Sequence, residues 1–218
     1  MSGNKFNQMN QPKPFKEQYS VLLLLFFVGL IWSGIHPFNQ WQWVGEVAPN
    51  LIGLTVLIIT FKKFRFTTFT YIAILAACWL LFIGGHYTFS RVPYIKEIGV
   101  LLGFERNNFD KIGHFIQGVV PVLIARELFL RKKLVDKKWI EFLAFCICLS
   151  TTCVYEIIES LTCMIAGKNI ESFTGTQGYI WDSQTDMLAA LIGGIFTIIF
   201  LKKAHNQAIK REYPEDLV

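Results

Sequence analysis

WDSQTDMLAALIGGIFTIIFL, residues 181–201, decides how the chain is read. From Met187 onward it is almost wholly apolar, and its 21 residues match the roughly 20 that a helix needs to cross the hydrocarbon core of a bilayer. It is therefore a membrane span. Two acids, Asp182 and Asp186, enter at its start, four residues apart and so on one helical face. The fold follows from the apolar run, and the search for a function follows from the acids.

Five further stretches of the same kind precede it, at about 19–35, 47–61, 69–88, 112–130 and 139–165. With 53% apolar residues and 20 Phe in 218, the composition exceeds that of an ordinary soluble domain. The expected architecture is all-α, a polytopic bundle of six transmembrane helices over residues 19–201. A tail at 1–18 and a frayed tail at 202–218 flank it. Lys5, Lys13 and Lys16 before the first span resemble a signal peptide, but no small-residue cleavage site follows, so the segment reads as a retained helix.

Charge sets the orientation. Fifteen of the 21 Lys and Arg lie in the two tails and in the second-to-third and fourth-to-fifth connections. The positive-inside rule then places both termini in the cytoplasm. The net charge of +5 reflects this topology and gives no reason to expect nucleic acid. The Trp-rich connection 36–46 suits the outer membrane boundary, and IKEIGVLLGF, in the long loop 89–110, has the spacing of a short interfacial helix. Gly175 and Gly178 mark turns in the last loop. Cys78, Cys146, Cys148, Cys153 and Cys163 lack a CxxC pair and read as small apolar residues.

Seven ionisable residues fall at one expected depth, in the outer half of the membrane: His86, Asp110, His114, Glu156, Glu159, Asp182 and Asp186. Asp110 with His114 are spaced i,i+4, and Glu156 with Glu159 i,i+3. A charge at a helix centre costs about 2.5–3.5 kcal/mol, less near the ends. Intramembrane ionisable groups therefore mark a working site by default. Lys111 is close enough in sequence to join them, whereas Arg126 is expected to snorkel to the cytosol.

Five carboxylates and two imidazoles facing one or two cations favour a bound metal or shared protons. His86, Asp110, His114, Asp182 and Asp186 are the candidate ligands, with Glu156 or Glu159 as general acid–base. The ligand types suit a di-metal carboxylate bundle or a single zinc with an open position. No HExxH string is present. The reaction expected is metal-assisted or acid–base hydrolysis or transfer on a lipid or lipid-linked substrate. The alternatives are a proton- or cation-coupled transporter and a structural or accessory subunit. Span five from Phe142 to Leu149 and span six from Leu188 onward offer little polar route to the cytosol, which favours a half-depth pocket over a pathway.

GGHYTF, FDKIGHFIQG, YEIIES and GTQGYIWDSQTDM, in this order, resemble the YjdF-like family of bacterial inner-membrane proteins, whose function is uncharacterised. A weaker likeness is to the VanZ-like membrane proteins, which also place a D-K-x-x-H string before a later acidic helix; here no Asn follows Asp186 at the matching spacing. The resemblance implies a multi-pass location in the bacterial inner membrane. It supplies no activity.

Overall fold

The computed structural model describes residues 17–101, 103–166 and 178–217. Lys168, Gly175, the side chain of Cys163 and most of the N-terminal tail lie outside them. Six helices are long and apolar enough to span a membrane. Among the described residues they are α1 (Glu17–Gly34), α2 (Gln40–Thr60), α3 (Thr68–Tyr87), α5 (Phe109–Lys132), α6 (Ile140–Ala166) and the continuous helical run Asp182–Glu212, which opens with α7 (Asp182–Phe196). A short α4 (Ile95–Leu101) forms where the IKEIGVLLGF spacing predicts a helix. The last span continues through a π-helical turn at Thr197–Leu201 into α8 (Lys202–Glu212).

Two three-helix halves make up the bundle. In the first, α1 and α2 both pack on α3; in the second, α6 and α7 both pack on α5. The α3–α5 contact joins the halves. The tightest crossing is α5 on α7, and small residues cause it. A methyl group added at Gly118 would strike the Ala190 carbonyl oxygen, and one at Gly193 would strike that of Phe115. Only residues without a side chain allow backbones this close, which is how helices gain contact where water supplies no hydrophobic drive. One turn above the Gly118–Ala190 contact, the same crossing sets His114 beside Asp186.

Two sequence expectations change. α2 begins at Gln40, seven residues before the apolar run, because the Asn39 side chain caps it by accepting hydrogen bonds from the amides of Trp41 and Gln42 at 3.0 and 3.1 Å. Part of the supposed boundary loop is thus helix, and Glu46 is buried within it. The tail after Leu201 is not frayed. α8 buries His205, Ala208 and Ile209, and Tyr213 behind it, against the rest of the bundle.

Candidate metal centre

The connections α1–α2, α3–α5 and α6–α7 share one end of the bundle, here called the acidic end. Five of the seven residues singled out above converge there: Asp110 and His114 on α5, Glu156 on α6, and Asp182 and Asp186 on α7. All five are buried. α5 and α7 contribute their first two turns and α6 contributes Glu156, ten residues before its end at Ala166, and the Gly118–Gly193 crossing holds α5 and α7 close enough for their side chains to meet.

The cluster has two compartments. In the first, Asp110, Asp182 and Asp186 surround two cations. Lys111 Nζ lies 2.8 Å from Asp182 Oδ1, 2.7 Å from Asp186 Oδ1 and 3.3 Å from Asp110 Oδ2. Arg106 donates to Asp110 at 3.0 Å and to Asp182 at 2.5 Å. Burial works against the Arg106 charge, but the Asp182 hydrogen bond and the carboxylates around it outweigh that and raise its pKa above the ordinary value. These three acids, although their oxygens could hold a metal, already have counter-ions.

The second compartment is unsatisfied. His114 Nδ1 lies 3.6 Å from Glu156 Oε1, and His114 Nε2 lies 3.5 Å from Asp186 Oδ1. Neither His114 Nδ1 nor Glu156 Oε1 has a hydrogen-bond partner, yet both are sealed from solvent. An orphaned buried polar atom costs about 1–3 kcal/mol, and two facing each other call for something between them. Ligand atoms around a tetrahedral ion at about 2.1 Å lie roughly 3.4 Å apart. The atoms of His114, Glu156 and Asp186 all fall within 4.8 Å of one another. The donor set, one imidazole and two carboxylates, fits a divalent ion.

Two predicted residues lie elsewhere. His86 is directed to α1: its ring stacks on Trp32 at 4.8 Å, and Nδ1 lies 3.1 Å from the Ser33 carbonyl oxygen. One imidazole, not two, therefore belongs to the convergent ligand atoms among the described residues. Glu159 sits one turn from Glu156 and is not among the ligand atoms that lie within 4.8 Å of one another.

Three contributors were missed. Arg106 lies in the loop before α5 and reaches forward four residues to Asp110. Glu46 was hidden by the late start assigned to α2. The third is a separate buried network at the opposite, basic end. Glu127 accepts from the Thr67 amide at 2.7 Å, Arg131 at 2.7 Å and Thr70 Oγ1 at 2.6 Å. His205 Nε2 lies 3.2 Å from Glu127, and Arg126 Nη1 lies 2.9 Å from His205 Nδ1. A guanidinium can only donate, so His205 carries its proton on Nε2 and donates it to Glu127. Arg126 does not snorkel; it is 1% exposed and also donates to Asn206 at 2.9 Å. The R-E-x-x-x-R spacing of Arg126, Glu127 and Arg131 was the available signal.

Six apolar spans with a buried ionic cluster at one end define a multi-pass integral membrane protein. Comparison with known sequences takes this further. Residues 18–207 match the family described as "Predicted membrane protein (DUF2238)". The chain is also 38% identical over 183 residues to the "Inner membrane protein YjdF" of Escherichia coli (strain K12), covering 84% of this chain and 88% of that protein. The chain belongs to the DUF2238 family, and its location is the inner membrane. No solved structure matches it.

Proposed function

We propose that the protein is a metal-assisted hydrolase or transferase acting on a lipid or lipid-linked substrate at the outer face of the inner membrane. The observation that carries this reading is the facing pair of orphaned atoms, His114 Nδ1 and Glu156 Oε1, with Asp186 beside them. His114, Glu156 and Asp186 hold one divalent ion. Such an ion lowers the pKa of a bound water and polarises an ester or phosphoester oxygen. Lys111 and Arg106 fix Asp186, Asp182 and Asp110, so the ligand Asp186 is held in place by a second partner. Glu159, one turn away and outside the ligand set, is the general acid–base.

The basic connections point to the cytoplasm in this reading, which puts the acidic end outside, with both termini cytoplasmic. A transporter would need a polar route between the two ends. Val122, Leu123, Ala144 and Cys148 are completely buried between them, which supports a half-depth pocket instead.

The test is turnover of inner-membrane lipid by protein reconstituted in liposomes with Zn²⁺ or Mn²⁺, followed by mass spectrometry of released headgroups. Metal-dependent release that Glu156→Gln reduces at least about 100-fold, or about 2.7 kcal/mol, is expected. Absence of release, or release untouched by Glu156→Gln, removes the enzymatic reading.

A further inference from the structure

The two compartments of the acidic end share an atom. Oxygens of Asp110, Asp182 and Asp186 lie within 4.8 Å of one another, as the ligand atoms of His114, Glu156 and Asp186 do. Asp186 belongs to both triads, and one of its oxygens serves both: Oδ1 is 3.5 Å from His114 Nε2 and 2.7 Å from Lys111 Nζ. Two-metal sites hold their ions about 3.5–4 Å apart, close enough for one carboxylate to face both. The first triad has orphaned atoms; the second has an ammonium. Lys111 follows Asp110 on the first turn of α5 and sends Nζ across to α7, 2.8 Å from Asp182 Oδ1 and 3.3 Å from Asp110 Oδ2. The Asp182 carbonyl oxygen lies 3.4 Å away. A simple salt bridge needs one carboxylate, whereas here four oxygens of three buried aspartates lie around one nitrogen.

We infer that Lys111 fills the second seat of a two-cation carboxylate centre, its ammonium standing where a second divalent ion would bind, so that the centre takes one metal ion instead of two. The assignment rests on the metal reading above and deepens it. Charge supports it. Ionised Asp110, Asp182, Asp186 and Glu156 carry four negative charges, and Lys111 with Arg106 returns two. One divalent ion beside His114 neutralises the remainder. A second ion beside both basic residues would leave the buried centre with excess positive charge, which is costly. Paired ions in a two-metal centre stabilise the attacking and leaving oxygens of a displacement. Here the second positive charge is built into the chain, and it holds the shared ligand Asp186 whether or not the ion is bound.

Lys111→Met removes the ammonium, keeps an unbranched stem, and leaves the seat free for Mn²⁺, which suits carboxylate ligands. The experiment counts Mn²⁺ by elemental analysis in full-length protein in nanodiscs, washed free of loose ions, with electron paramagnetic resonance on the same samples. Lys111→Met should hold about one ion more per chain than the unsubstituted protein, its two spins coupled as for ions about 3.5–4 Å apart. Lys111→Arg, which keeps the positive charge, should gain none. Asp182→Asn added to Lys111→Met should abolish the gain, since Asp182 serves only the second seat. Mn²⁺ should also stabilise Lys111→Met more than it stabilises the unsubstituted protein, because the ion takes the ammonium's place. An unchanged ion count, an equal gain in Lys111→Arg, a gain that Asp182→Asn leaves intact, or a Lys111→Met chain that stays unfolded in excess Mn²⁺ overturns the assignment. Adding Lys111→Met to His114→Leu separates the two claims. A gain of about one ion over His114→Leu alone is expected there even where the His114 site itself holds nothing, so either claim can fail without the other.

Discussion

The two ends of the bundle each bury a histidine, a glutamate and arginine or lysine, yet they are built to opposite ends. At the basic end both Glu127 oxygens and both His205 nitrogens are engaged, at 2.6–3.2 Å. At the acidic end His114 and Glu156 face each other at 3.6 Å with neither atom satisfied. A complete buried network fastens helices, here tying α8 and the α3 cap to α5. An incomplete one costs stability until a ligand completes it. The lesson is that burial and residue type do not separate structure from function; hydrogen-bond completeness does.

Breaking the basic end should give the largest effect. Glu127→Ala removes the carboxylate shared by Arg131, His205, Thr67 and Thr70, while Arg131 keeps Asp216, and removing one partner of a buried ion pair costs about 3–5 kcal/mol. A lower midpoint in mixed-detergent unfolding should show this, with metal content per folded chain unchanged. If Glu127→Ala unfolds no more easily than wild type, the fastening role is wrong.

His114→Leu should behave in the reverse way. Metal affinity falls about 100-fold, or about 2.7 kcal/mol, while the metal-free protein keeps or gains stability, because an orphaned polar group has been removed. A metal-free variant markedly less stable than metal-free wild type would make the acidic end a fastener too.

Next comes the crossing that assembles the site. Gly118→Ala places a methyl against the Ala190 carbonyl, and such overpacking costs about 1–3 kcal/mol. Because the same crossing aligns His114 with Asp186, it should weaken metal binding as well, read by titration calorimetry. The smallest effect is expected from His86→Phe. It keeps a ring against Trp32, so stability should shift within about 0.5–1.5 kcal/mol and metal affinity should not change. A loss of metal affinity in His86→Phe would restore His86 to the site.

The fold was legible because a helix crossing a bilayer must show its apolar length in the sequence, and residues 69–88, 139–165 and 181–201 do so. The convergence of Asp110, His114, Glu156, Asp182 and Asp186 was legible for the same reason, since acids at the end of an apolar run have few places to go. Other features were set by contacts that no spacing records. Asn39 starts α2 early and carries Glu46 inward. Trp32 draws His86 to α1. His205 lies past the last long apolar run, which ends at Leu201, and its place is set by the buried partners Arg126 and Glu127. Arg106 is a loop residue in sequence and a counter-ion in space.

The central claim is that His114, Glu156 and Asp186 form an ion-binding site. Elemental analysis of protein purified without chelator, beside His114→Leu and Glu156→Gln prepared identically, tests it most directly. The account predicts about one divalent ion per chain in the unsubstituted protein and a near-complete loss in both variants. Equal metal in all three preparations, or none in any of them, would contradict it.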